Sequence, residues 1–351
     1  QKGVIMNKLT KIGASALAGS LVASSAFAGE LSVSGYWEVT GEFVTGDATN
    51  NAAANNAGNP FGSKANLSFN GSGETDFGTA SWFAFTNDAI TGFSSHSVTL
   101  DMGDMGLVGF DQGTGAFGIG TIDDKTPTAY EEIWNGMAQT NGDILDGSGG
   151  SSGVFGYINT FMGMKVNVEY APSLSSADAG DGASGGATTV QDGTSLNFAI
   201  TNDTLVDGLS FGFGHGENDY DHVSGDIVNI DTSSTTAHAN YAFGPVTAGV
   251  TSSYTSGSTS ATGTTIGANE VLIYGIAFNV NDSLSVSYTD YENKYLKRGS
   301  QGDVTQDTDG INIAYTMGGA TLRVTDSSMD NMGGTQNKGE DRTEVSLLMA
   351  F

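Results

Sequence analysis

Apolar residues recur at every second position along this chain, in one segment after another, and the segments are joined by short and long connections in turn. Successive strand side chains point to opposite faces, so a period of two marks a β wall with one apolar side and one polar side. The first segment puts Leu31, Val33, Gly35, Trp37, Val39, Gly41 and Phe43 on one parity, and Ser32, Ser34, Tyr36, Glu38, Thr40 and Glu42 on the other. The last repeats the pattern, with Thr343, Val345, Leu347, Met349 and Phe351 against Arg342, Glu344, Ser346, Leu348 and Ala350, where Leu348 breaks the polar run. Between them the alternation predicts strands near 61–70, 78–86, 94–110, 115–122, 153–161, 163–171, 194–201, 208–217, 235–243, 246–255, 270–280, 283–292, 309–317 and 320–328, sixteen with the terminal pair. Within 94–110, Gly103-Asp104-Met105-Gly106 fits either a bulge or a hairpin turn.

The connections constrain the topology. Tight ones fall at Gly71–Phe77, Gln112–Gly115, Met162, Asn202–Asp207, Gly244-Pro245, Asn281-Asp282 and Gly318-Gly319. Long ones fall at 44–60, 87–93, 123–152, 172–193, 218–234, 256–269, 293–308 and 329–340. An up-and-down barrel requires this strict alternation, whereas Greek-key crossovers in a sandwich would break it. A soluble sandwich would also need large aliphatic residues filling a core between two sheets. One polar and one apolar face instead suit a single closed sheet with water inside and lipid outside. No segment after residue 28 is apolar enough for a spanning helix, so a membrane crossing must be made by a closed barrel, which pairs every backbone donor and acceptor. The expected fold class is therefore all-β: a transmembrane antiparallel up-and-down β-barrel of sixteen strands over residues 29–351.

Residues 1–28 read as an address. Lys8 and Lys11 form a basic start, Ile12 to Val22 is uncharged and rich in Ala, Leu and Gly, and Ala26-Phe27-Ala28 offers a small-x-small cleavage site. Gln1 to Ile5, ahead of Met6, read as an upstream extension from a mis-assigned start. Cleavage after Ala28 removes Lys2, Lys8 and Lys11, three positive charges, and takes the formal charge from −27 to −30. With 12 basic residues against 39 acidic ones, nucleic acid is excluded as a partner, because its phosphates demand a basic surface. The absence of cysteine removes disulfides, thiolate metal sites and cysteine nucleophiles together.

Several motifs carry little. Gly113-Thr114-Gly115-Ala116-Phe117-Gly118 spells GxGxxG without the helix that would follow it in a nucleotide site, so it reads as a turn. His96, His215, His222 and His238 show no metal-protease spacing. Asp307-Thr308-Asp309-Gly310 echoes a calcium loop but lacks its closing glutamate. No catalytic constellation stands out, which argues against an enzyme, and no cofactor is expected beyond Ca²⁺ held loosely by loop carboxylates.

At this point the chain resembles the general diffusion porins of Gram-negative bacteria, of the alphaproteobacterial type. The resemblance rests on the export signal, on Gly29-Glu30-Leu31-Ser32-Val33-Ser34-Gly35, and on Leu67-Ser68-Phe69-Asn70-Gly71-Ser72-Gly73-Glu74-Thr75-Asp76-Phe77-Gly78. It rests also on Gly115-Ala116-Phe117-Gly118 leading into the longest connection, and on the terminal Phe351. It implies an outer-membrane barrel assembled as a homotrimer, a third loop folded inward to narrow the pore, and a C-terminal aromatic read by the barrel-assembly machinery. The longest connection, 123–152, lies between the fifth and sixth strands, where that loop belongs. The basic cluster common on the wall of such barrels is thin here.

The function expected on this reading is passive diffusion of small hydrophilic solutes and ions, with a mild preference for cations. The loop carries Asp123, Asp124, Glu131, Glu132, Asp143 and Asp146 against Lys125 alone. Inside a lumen these carboxylates would raise the local cation concentration; outside it they would be solvated loop charges. Lys64, Lys165, Arg323 and Arg342 fall on the lumen parity of their strands, as a lipid-facing cation at midplane costs about 2–4 kcal/mol. They would oppose the loop carboxylates across the pore, or pair locally with Glu38, Glu169 or Glu344. Trp37, Trp82, Tyr170, Tyr241, Phe243, Tyr288, Tyr315 and Phe351 suit girdles at the headgroup boundary of the outer-membrane lipid, with packing between protomers or on the inner wall as the alternative for some of them. Two rivals remain: a substrate-specific channel, which would show saturable block, and a secreted β-rich surface protein, which would show a repeat period that this sequence lacks.

Overall fold

The computed structural model describes residues 29–46, 59–137, 145, 153–174, 193–220, 231–256, 266–297 and 302–351. The segment 1–28, Asp143 and Asp146 lie outside them. Sixteen strands are described: β1 (Leu31–Gly46), β2 (Phe61–Thr75), β3 (Gly78–Thr86), β4 (Phe93–Asp101), β5 (Leu107–Gln112), β6 (Val154–Phe161), β7 (Met164–Ala171) and β8 (Gly193–Asn202), followed by β9 (Leu209–Tyr220), β10 (Thr232–Phe243), β11 (Val246–Ser256), β12 (Ile266–Asn281), β13 (Leu284–Lys297), β14 (Val304–Met317), β15 (Ala320–Asp330) and β16 (Gly339–Ala350). Each pairs antiparallel with its neighbours in chain order, and β1 closes the ring on β16 from Tyr36↔Ala350 to Gly46↔Glu340. Gly35 and Phe351 add a reciprocal pair of backbone hydrogen bonds, 2.9 and 3.0 Å, at the seam. No helix among the described residues is long and apolar enough to cross a membrane. The crossing is made by strands closed into a ring, because an open sheet would leave backbone groups unsatisfied in lipid.

Two of the sixteen expected strands are placed differently. The run 94–110 is a hairpin, β4 and β5, joined through a short turn at Gly103–Met105. The stretch 115–122 is not a strand. After Gln112 the chain leaves the wall and enters the barrel, so the expected tight connection at Gln112–Gly115 is the root of the third loop, and the periplasmic-type turn lies at 102–106. Gly113, Gly115 and Gly118 all have positive φ, which lets the GxGxxG stretch fold as this inward turn.

The two faces follow the expected parities. Leu31, Gly71, Trp82, Val98, Phe110, Phe155, Tyr170 and Leu196 form one continuous cross-strand row on the outside. Trp37, Tyr241, Phe243, Tyr288, Tyr315 and Phe351 are also exposed there. The inner face carries Glu38, Asn167, Asn197, Thr251, Asn312, Thr325 and Ser346. Asp307 and Asp309, which echo a calcium loop, lie on regular strand β14 opposite Glu292 and Asp290. Among the described residues no group of three or more metal-ligating side chains is arranged to hold an ion.

Candidate functional site

The third loop, 113–153, is described from its root to Met137, and this part lies along the inner wall rather than across open space. The Gly118 and Ile119 N–H groups donate to Asn167 Oδ1 (2.9 Å) on β7 and Asn197 Oδ1 (2.7 Å) on β8. Gly118, at φ +66°, has no room for a Cβ above Asn197 and Glu169. Asn240 on β10 donates to the Lys125 carbonyl (2.7 Å), and Thr126 bonds Thr251 on β11 (2.9 Å). Farther along, the Ala129 N–H donates to Ser287 Oγ on β13 (2.9 Å), Asn312 on β14 donates to the Glu131 carbonyl (2.6 Å), and Tyr130 bonds Thr325 on β15. The loop thus traces the wall from β7 to β15, taking one polar anchor from nearly every strand it passes.

Apolar packing fixes both halves. Phe117 is fully buried with Val154 and Ala171, and Ile119 and Ile122 pack on Ala199. At the far end Ile133, Trp134 and Met137 pack with Val271, Ile273, Tyr291, Met329 and Met332, and the Trp134 and Tyr291 rings lie 4.8 Å apart. These aliphatic and aromatic residues sit on the lumen side of the wall, where a barrel filled with water would expose them. Covering them with the loop is what makes their burial favourable, by about 25 cal/mol per Å².

Where the loop reaches β15 and β16, the charges of those strands converge with those of β1 and β2. Glu38 receives Lys64 Nζ (3.2 Å), Arg323 Nη1 (3.4 Å) and the Ser346 hydroxyl (2.7 Å). Arg342, 2% exposed, pairs with Glu42 (3.3 Å) and with Glu344. The Arg323 guanidinium stands 5.0 Å from the centre of the Tyr130 ring. A Cβ at Gly136, where φ is +77°, would collide with the Arg342 guanidinium, so glycine lets the loop backbone settle on that cation. Glu131, whose Oε2 accepts from Asn135 (3.3 Å), has its carboxyl raised by burial, against the opposing pull of Arg342 and the Asn135 bond. Burial likewise raises Asp123, with the Asp124 backbone and Lys125 opposing and Glu132 adding to the rise, and it raises the Tyr130 phenol.

The expected site residues thus separate into groups. Lys64, Arg323, Arg342, Glu38, Glu344 and Glu131 come together, joined by Glu42 and Tyr130. Glu42 shares the parity of Glu38, so the alternation already marked it; nothing in the sequence marked Tyr130. Asp123, Asp124 and Glu132 lie on the described part of the loop. Lys165 stands apart on β7. Glu169 accepts from Asn197 (2.9 Å) and is sealed beneath the loop, so it faces no open lumen.

The family model described as Gram-negative porin matches residues 13–350. No curated protein matches the sequence. Among solved structures, the anion-selective porin from Comamonas acidovorans aligns with TM-score 0.61 at 14% identity, over 92% of this chain and 99% of that one. The outer membrane channel DcaP of Acinetobacter baumannii aligns with TM-score 0.60 at 12% identity, over 92% and 98%. A porin refined at 1.8 Å resolution aligns with TM-score 0.58 at 15% identity, over 92% and 100%. Identities this low speak for the fold, and the family match over nearly the whole chain speaks for the rest. A closed sixteen-stranded wall, a loop laid inside it and that match agree: the chain belongs to the Gram-negative porins, outer-membrane channels for the passive diffusion of small hydrophilic solutes.

Proposed function

We propose that the channel prefers cations mildly, and that the third loop sets this preference. The observation behind it is the pairing on the wall. Lys64 and Arg323 share Glu38, and Arg342 is held by Glu42 and Glu344, so three cations meet three carboxylates and present little net field to the lumen. Asp123, Asp124, Glu131 and Glu132 then face one Lys125 on the loop, and Asp143 and Asp146 add to them as a further part of the proposal. Carboxylates at a confined aqueous path raise the local cation concentration. Reversal potential across a planar bilayer under a KCl gradient measures this. A cation-selective value is expected, and an anion-selective one rejects the assignment while leaving the channel in place.

The finer features expected of the mature protein belong to the same reading. Residues 1–28 act as an export signal cut after Ala28, which mass measurement of the membrane-inserted protein checks. Three copies assemble through their outer faces in outer-membrane lipid, giving a heat-modifiable oligomer on mild gels; a monomer under native detergent conditions overturns this. Phe351, 71% exposed at the seam, is free to be read by the barrel-assembly machinery. Phe351→Ala keeps the backbone bonds to Gly35 and is expected to slow assembly in cells while leaving refolding in detergent unchanged. The pore works without a cofactor, and removing Ca²⁺ with a chelator leaves its conductance unaltered.

A further inference from the structure

On the opposite side of the lumen from the paired cations lies a cavity of about 530 Å³ with a different composition. It is roofed by Thr121 and Lys125 of the third loop and walled by Lys165 on β7 and by His238 and Asn240 on β10, with Asp203 in the β8–β9 turn at its rim. Gly163, in the β6–β7 turn, also lines it, which puts the cavity at the end of the barrel that carries the tight turns. Among the described residues neither Lys125 nor Lys165 has a carboxylate oxygen within 4.0 Å, in contrast to Lys64, Arg323 and Arg342. Both ammonium groups thus lack the close ion pair that holds each cation of the opposite arc, with Asp123 and Asp203 as the nearby carboxylates.

The surrounding groups are donors held in place. Asn240 fixes the loop above by donating to the Lys125 carbonyl at 2.7 Å. His238 is 8% exposed, and its Nδ1 is buried without a partner against Gly212. An unmet N–H in such a place costs more than an unmet lone pair, so the proton belongs on Nε2, where the imidazole is a donor. Two ammonium groups and an imidazole N–H make a set that solvates negative oxygen, while the Thr121 hydroxyl is already committed to the Gly118 carbonyl (2.6 Å). The volume lies within the range of about 300–1,000 Å³ common to small-molecule sites.

We infer that this cavity is a weak binding station for small oxyanions of the phosphate class, placed at the periplasmic mouth beneath the third loop. It rests on the channel reading and adds to it. A lumen dominated by carboxylates repels anions, and a local pair of lysines held in no close ion pair gives them a place to dwell. Binding there must stay weak and open to the bath, because conduction requires that a solute leave as readily as it enters.

The experiment is planar-bilayer recording of the refolded full-length barrel in KCl, with inorganic phosphate added to the side facing the tight turns. Phosphate is expected to reduce the current in a saturable manner, with half-effect in the millimolar range, while equal concentrations of chloride do not. Lys165→Gln and Lys125→Gln should each raise the half-effect concentration about tenfold, the loss of one charge-assisted contact. Lys165→Arg should retain the effect. Lys294→Gln, which removes an outward-facing lysine paired with Glu270, makes the same charge change and should leave it untouched. Conductance without saturable phosphate block, or block that survives both glutamine variants, overturns the station alone. Well-folded protein that passes no current overturns the channel reading and this inference with it.

Discussion

Two arcs of the inner wall carry positive charge beneath the same loop and use it differently. On β15, β16 and β2, Arg323, Arg342 and Lys64 are each held by a glutamate of the wall itself. On β7, Lys165 faces Lys125 of the loop across a cavity. A cation matched within a few ångströms contributes a dipole whose field falls off quickly, and a cation left unmatched contributes net charge. The pairing of basic residues, more than their number, therefore decides how the lumen treats ions. The buried pairs also hold the loop: Arg342 lies under Gly136, and Arg323 lies over Tyr130.

The largest test of this contrast removes the loop from one arc. Trp134→Ala opens the cluster around Tyr291 and should cost about 3–5 kcal/mol of barrel stability by thermal melting, as large-to-small substitutions of buried aromatics do. It should also raise single-channel conductance, since the far half of the loop no longer lies against β13–β16. Unchanged conductance would mean that the root at Phe117 and Ile119 suffices. Next in size is Arg342→Gln, which leaves Glu42 and Glu344 without their cation. A loss of about 3 kcal/mol is expected for an uncompensated buried charge, together with a reversal potential shifted toward stronger cation preference. An unchanged reversal potential would show that the charges of this arc do not reach the conducting path, and the distinction between the arcs would fail.

Acidification should give a smaller effect. Burial holds Glu131 and Asp123 above the usual carboxylate range, so both take up protons before ordinary surface carboxylates do as the pH falls. Cation preference should therefore weaken from a pH above that range. A carboxyl with a raised folded-state pKa binds its proton more tightly in the folded barrel, so these groups add stability as pH falls through that value and remove it as pH rises. Glu131→Gln should flatten both trends; a pH titration of reversal potential that the substitution leaves unaltered would assign them elsewhere. The smallest change is expected from Lys64→Gln. Its ammonium is partly exposed and shares Glu38 with Arg323 and Ser346, so less than about 1 kcal/mol should be lost. Glu169→Gln, beneath the loop, should leave selectivity where it is.

Much of this barrel was legible in the sequence because its wall separates water from lipid, and a period of two reports that boundary directly. The two misplaced strands show where the signal stops. In the β4–β5 hairpin Asp101 pairs with Leu107, so outward positions stay even-numbered on both sides of the turn. The alternation runs through the bend without a break in phase, and only the glycines at 103 and 106 betray it. At 115–122, Phe117 and Ile119 alternate as a strand would, but their burial comes from the inside of the wall. Apolar spacing reports that a side chain is covered and is silent on what covers it. The site was less legible for a similar reason. That Lys64 and Glu38 share a face could be read from parity, while their standing directly opposite depends on the register of β1 with β2. Arg342 reaching Glu42, 300 residues earlier in the chain, depends on the closure of the ring.

That closure also sets a condition on how the protein is made. The final hydrogen-bonded ladder joins the first strand to the last, with Ser346 and Glu38 in contact at a separation of 308 residues. Until β16 is available to pair with β1, the sheet keeps two bare edges, and such edges pair with whatever strand they meet. Stepwise folding during synthesis, the ordinary refuge of large chains, is closed to this one. The polypeptide must be held apart from its own kind until both partners of that ladder are present, and ring closure becomes a single late event.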